Sequence, residues 1–187
     1  MVQTVTASET SSDQVTPSDA GGVTDGVTSS DPAEPTDGSS TAVVLGPNRS
    51  GSTLGLTDFF NPSTDWAEGS YDIASQKGLQ GIAATISGCS ADQGQSLELR
   101  LADYYKSLTF SVGQSNQSDA NNQILTVSVT ANGRQVQVKN IPFNTVQPFS
   151  VPVPSVNSLV ITFYLNSEIE NCGAASVQAV LFKPVVS

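Results

Sequence analysis

Five aromatic residues stand near side chains that could hold a sugar. Sugar recognition needs a flat aromatic face against the apolar side of a ring, with amides or carboxylates close by to take its hydroxyls. The available rings are Trp66, Tyr71, Tyr104, Tyr105 and Tyr164. Trp66 is the only tryptophan and lies in a polar stretch between Asp65 and Glu68. It is read either as an exposed platform or as a core ring. Tyr104 and Tyr105 are adjacent, so in extended chain they face opposite ways, one packed and one exposed. Asn116, Asp119 and Asn121 supply amide and carboxylate groups in a polar loop. The candidate ligand-binding set is therefore Trp66, Tyr71, Tyr104, Tyr105, Asn116, Asp119 and Asn121.

Other chemistries fare worse. The chain has no histidine, which excludes Ser-His-Asp and Cys-His catalysis. Gly78-Leu79-Gln80-Gly81 lacks the Lys-Ser/Thr ending of a phosphate loop. Glu98, Asp103, Glu168 and Glu170 could form a glycosidase pair only if two of them faced each other. Glu98 alternates outward on a strand, which suits a solvated face. No catalytic residue is assigned, and the chain is read as a non-enzyme. Asn116, Asp119, Asn121 and Asn122 offer oxygen atoms to Ca²⁺ but lack the Asp-x-Asp spacing of an EF-hand, so no cofactor or metal is expected. Seven bases against seventeen acids disfavour nucleic acid.

The elements that position these residues show a two-residue period. Leu97, Leu99 and Leu101, then Leu108, Phe110 and Val112, then Leu125, Val127 and Val129, then Leu159, Ile161 and Phe163 alternate with mostly polar neighbours. That is the pattern of half-buried strands. Further strands are read at 78–85, 135–139 and 176–183. Asn132-Gly133 between two alternating runs marks a hairpin. Pro142, Pro148, Pro152 and Pro154 confine 141–155 to an edge strand or loop. No helical period of useful length appears. The fold class is all-β, an antiparallel sandwich of the jelly-roll type.

Residues 1–41 differ from the rest. They hold 16 Ser/Thr and 7 Asp/Glu, with no Lys, Arg or aromatic residue. So most of the net charge of −10 belongs to this stretch. A segment this poor in apolar residues cannot offset its ordering entropy and is read as a disordered tether. The folded domain is placed at 42–187. No signal peptide or run long enough to span a membrane is found. A tether implies an attachment, and the natural protein is expected to continue upstream into a membrane segment.

Cys89 and Cys172 sit in polar, turn-like settings, Ser87-Gly88-Cys89-Ser90 and Glu170-Asn171-Cys172-Gly173. Such a pair suits a disulfide in an exported protein; two unrelated free thiols are the alternative. Two cysteines without histidine cannot complete a zinc site.

From about Ser52 to Phe182 the order of pieces resembles the NPCBM family of carbohydrate-binding modules. They are Leu56-Thr57-Asp58 followed by Trp66, the strand Lys77 to Ile82, and Tyr105 to Gly113. Leu125 to Val129 before Asn132-Gly133-Arg134, Val151 to Leu165, and Asn171 to Val177 complete the set. Ala83-Ala84-Thr85 stands where that family commonly has a His, and Gly173 or Ala174 where it has a Trp. The resemblance implies a galactose-binding-like jelly roll and a cell-wall or other glycan as ligand. Together with the tether it suggests the sensing ectodomain of a bacterial membrane protein, such as a Ser/Thr kinase, on the cell surface. A protein-interaction or structural module without a sugar site is the second reading.

Overall fold

The computed structural model describes residues 43–119 and 122–187. The tether at 1–41, residue 42 and Asn121 lie outside the described residues. Among the described residues, nine strands form two antiparallel sheets. They are β1 (Ala67–Ile73), β2 (Gln76–Ile86), β3 (Gln95–Arg100), β4 (Ser107–Gln114), β5 (Leu125–Ala131), β6 (Arg134–Ile141), β7 (Val146–Pro152), β8 (Ser158–Leu165) and β9 (Val177–Val186). One sheet has the order β1-β2-β9-β4-β7 and the other β3-β8-β5-β6. No α-helix occurs among the described residues, and no helix there is long and apolar enough to cross a membrane.

The alternation maps onto the two faces. In β8, Leu159, Ile161, Phe163 and Leu165 are buried while Ser158, Val160, Thr162 and Tyr164 are partly exposed. The inward rows meet in one core, where Phe110 stacks on Phe149 at 4.6 Å and Trp66 meets Phe163 edge-on at 5.0 Å. Burial of this apolar surface is the main force joining the sheets. The β5–β6 hairpin turns on Asn132 (φ 47°) and Gly133 (φ 78°), the positive pair a type I′ turn requires. β7, with its prolines, is an edge strand.

One strand goes beyond the sequence reading. The sequence carries no strand signal for β1, because only Ile73 of its seven residues is buried. An edge strand with one buried anchor leaves no apolar alternation to read. Before β1, Leu56–Asp58 forms a short 3-10 turn.

A second, smaller cluster covers the outward face of the five-stranded sheet. Ile73, Ala83, Val180 and Phe182 are buried there, with Tyr71, Leu79 and Val146 packed against them. The predicted disulfide is present: Cys89, just after β2, is bonded to Cys172 in the β8–β9 loop, with Cα atoms 6.0 Å apart.

Candidate functional site

The outward face of the four-stranded sheet meets the requirements of a sugar site at one end. Strand register places Tyr164 beside Thr126, and Thr126 beside Asn140, in one row across β8, β5 and β6. Thr126 Oγ1 donates to Asn140 Oδ1 at 2.9 Å. That bond fixes the amide and leaves its two N–H groups for a ligand. Just past β8 the chain turns sharply. The Asn166 N–H donates to the Ile124 carbonyl at 2.8 Å, and Asn166 Oδ1 accepts the Glu168 N–H at 2.9 Å. This Asx turn brings Ser167 and Glu168 alongside Tyr164.

The result is a shallow depression of about 250 Å³, with Val138 completing its wall. It combines an aromatic ring, an amide donor pair, hydroxyls and one carboxylate. Ordinary small-ligand pockets run from about 300 to 1,000 Å³, so the space suits one ring rather than a buried substrate. Glycoside hydrolysis needs two facing carboxylates, and Glu168 is the sole carboxylate lining the depression. The chain enters the sandwich at the far end of this sheet, where Leu45 bridges Leu101.

The residues singled out from the sequence do not converge on one place. Trp66 is 3% exposed, with its ring against Phe163 in the core, so neither face is open to a ligand. Its setting between Asp65 and Glu68 is polar, yet its ring points inward. Tyr105 is also buried, and its hydroxyl donates to the Gly46 carbonyl. Burial is the first cause raising its pKa; Asp58 and Tyr104 add to it and Arg49 opposes it. Tyr104 is exposed and meets Tyr105 edge-on at 6.4 Å, so one tyrosine of the pair packs and the other faces solvent. Tyr71 lies on the outward face of the other sheet, its hydroxyl donating to the Ala67 carbonyl at 3.3 Å, and burial raises its pKa.

Asn116 is structural in its contacts. Its amide accepts from the Ala74 N–H and donates to the Ala74 carbonyl, both at 3.0 Å, pinning the β1–β2 turn. Asp119 accepts from Ser176 Oγ at 2.7 Å and lines a small polar depression of about 160 Å³ with Thr85, Ser118 and Gln178. Among the described residues no group of three or more His, Cys, Asp or Glu side chains could hold a metal. Glu98 is engaged by Arg100 at 3.3 Å and by Ser158 at 3.2 Å. Asn140, Asn166 and Glu168 were not singled out as sugar-binding groups, and Tyr164 was only one ring among five. The usable signal was parity: with Phe163 inward, Tyr164 must face out.

No family model matches the chain, and no curated protein matches it. Among the solved structures that share its fold are two that contain CBM51 domains. CBM51 from Clostridium perfringens GH95, solved in complex with methyl-galactose, aligns with a TM-score of 0.51 at 11% identity, over 72% of this chain and 95% of that one. The second contains the M60 catalytic domain with the CBM51-1 and CBM51-2 domains of Clostridium perfringens ZmpB. It aligns with a TM-score of 0.50 at 9% identity, over 72% of this chain but only 15% of that one. The chain has the fold of a carbohydrate-binding module. Membership of the NPCBM family is not shown, since no family model matches.

Proposed function

We propose that residues 42–187 are a non-catalytic glycan-binding module whose site is the Tyr164 depression. The observation that carries this reading is the meeting of Tyr164 with Asn140, Asn166 and Glu168, an aromatic face ringed by amides and a carboxylate. The shared fold with CBM51 supports the class of ligand. A shallow, solvent-open site offers one stacking contact, worth about 0.5–1.5 kcal/mol beyond burial, and a few hydrogen bonds. Millimolar affinity, about −4 kcal/mol, is the scale that follows.

The wider setting we assign is an exported, cell-surface one: the sensing ectodomain of a bacterial membrane protein, with a cell-wall glycan as ligand. The disulfide supports export, because such bonds persist in oxidising compartments. The Ser/Thr- and Asp-rich stretch at 1–41 supports a tether. A protein partner is the second reading, favoured by Val136 and Val138, exposed on the edge strand β6 beside the depression.

The test is an amide NMR titration of the full chain with soluble cell-wall fragments and simple sugars. Shifts at Thr126, Asn140 and Asn166 that disappear in Tyr164→Ala are the expected result. Silence at millimolar sugar, for wild type and variant alike, overturns the glycan reading and leaves the protein partner.

A further inference from the structure

A depression of similar size lies elsewhere, where one sheet splits. β9 pairs with β2 from Val177 to Phe182, ending at Gly81. Beyond that point β9 takes a different neighbour. Thr53 bridges Val185, the Leu54 N–H donates to the Pro184 carbonyl at 2.8 Å, and the Gly51 N–H donates to the Val186 carbonyl at 2.8 Å. The β1–β2 hairpin and the 53–55 segment thus diverge, leaving a cleft of about 270 Å³ between them.

Three side chains supply its chemistry. Glu68 spends Oε1 on the Leu56 N–H at 2.6 Å, leaving Oε2 to accept a hydroxyl. Gln80 lies on the facing strand with an exposed amide. Lys183 stands at the switch of partners, where the ladder to β4 is also irregular between Thr109 and Ser111. Its backbone is left-handed, at φ 52°. A glycine would make that bulge without the steric cost, so the backbone geometry does not explain a lysine. Neither ion pair found among the described residues involves Lys183, which is exposed. A left-handed residue with an uncommitted charge at a cleft is the observation from which a functional reading starts.

We infer that this cleft is a second ligand site, for an acidic monosaccharide unit of the uronic acid type. Its carboxylate pairs with the Lys183 ammonium, and its hydroxyls are taken by Glu68 Oε2 and the Gln80 amide. The volume holds one ring. This site is separate from the Tyr164 depression, which lies on the other sheet and offers no cation.

The test titrates the full chain with glucuronic and galacturonic acids, and with glucose and galactose, while following amide resonances. The uronates should shift Gln80, Gly81 and Lys183; the neutral sugars should leave them unmoved. Lys183→Gly keeps the bulge and removes the ammonium. It should melt no lower than wild type while uronate affinity falls about tenfold, the scale of one charge-assisted hydrogen bond. Raising the salt should weaken uronate binding in wild type more than in Lys183→Gly. Tyr164→Ala should leave the cleft shifts intact, which separates this inference from the glycan reading above. Silence of the cleft amides, equal shifts from neutral sugars, or uronate binding that survives Lys183→Gly would overturn it.

Discussion

Replacing both cysteines, Cys89→Ser with Cys172→Ser, removes the one covalent tie between the β8–β9 loop and the end of β2. The bond joins residues 83 apart in sequence. On the chain-entropy account, closing a loop of that size in the unfolded ensemble is worth about 4–5 kcal/mol. Domains of this size are stable by only about 5–15 kcal/mol, so about a quarter or more of the total is at stake. At about 2–4 °C per kcal/mol, the variant should melt roughly 10–20 °C lower. Its denaturant m-value should rise, because an uncrosslinked unfolded chain exposes more surface.

Two assays together check the reasoning. Urea unfolding of wild type and variant gives the stability difference and the m-values. A sugar titration of the folded variant tests the site. The turn that carries Ser167 and Glu168 is held by the Asn166 bonds to Ile124 and Glu168, none of which involves the disulfide. Binding at Tyr164 should therefore survive wherever the variant is folded. A loss of under about 1 kcal/mol would refute the assumption that the unfolded chain is open enough to be constrained. Preserved folding with abolished binding would refute the claim that the turn stands on its own bonds.

Trp66→Ala should cost about 3–5 kcal/mol by leaving a cavity beside Phe163, while the folded variant keeps its glycan shifts. Denaturant titration and the NMR panel read the two effects separately, and lost binding in a folded variant would return Trp66 to the site. Tyr105→Phe removes the hydrogen bond to the Gly46 carbonyl and should cost about 1 kcal/mol at neutral pH. Because burial raises the Tyr105 pKa above 10.0, its neutral form favours the folded state. That contribution is complete below pH 10 and falls as pH climbs from there through the folded-state value. The gap between wild type and Tyr105→Phe should narrow above pH 10 in alkaline melting curves, and a widening gap would contradict the sign.

Legibility in the sequence followed the range of the interaction. Strands whose inward positions are filled by Leu, Val, Ile or Phe at every second residue, as in β3, β4 and β8, were readable because the pleat alone imposes that period. The Asn132-Gly133 turn was readable because backbone sterics are local. β1 was not, since its burial comes almost wholly from one residue and its partners lie in other strands. The site repeats this division. Parity in β8 already turned Tyr164 outward, yet the ring gains meaning only from Asn140, which strand order places two strands away. Trp66 shows the converse: its neighbours in sequence are polar, and the partner that buries it is Phe163, contributed by β8. Neighbours in sequence described the water-facing context of each ring, while register and sheet order decided which ring was open. A sugar-binding face in a sandwich of this kind is thus a property of cross-strand rows. On the proposed glycan site, exchanging Asn140 for alanine should weaken the same NMR-detected sugar binding that Tyr164→Ala weakens, although the two residues share no local sequence.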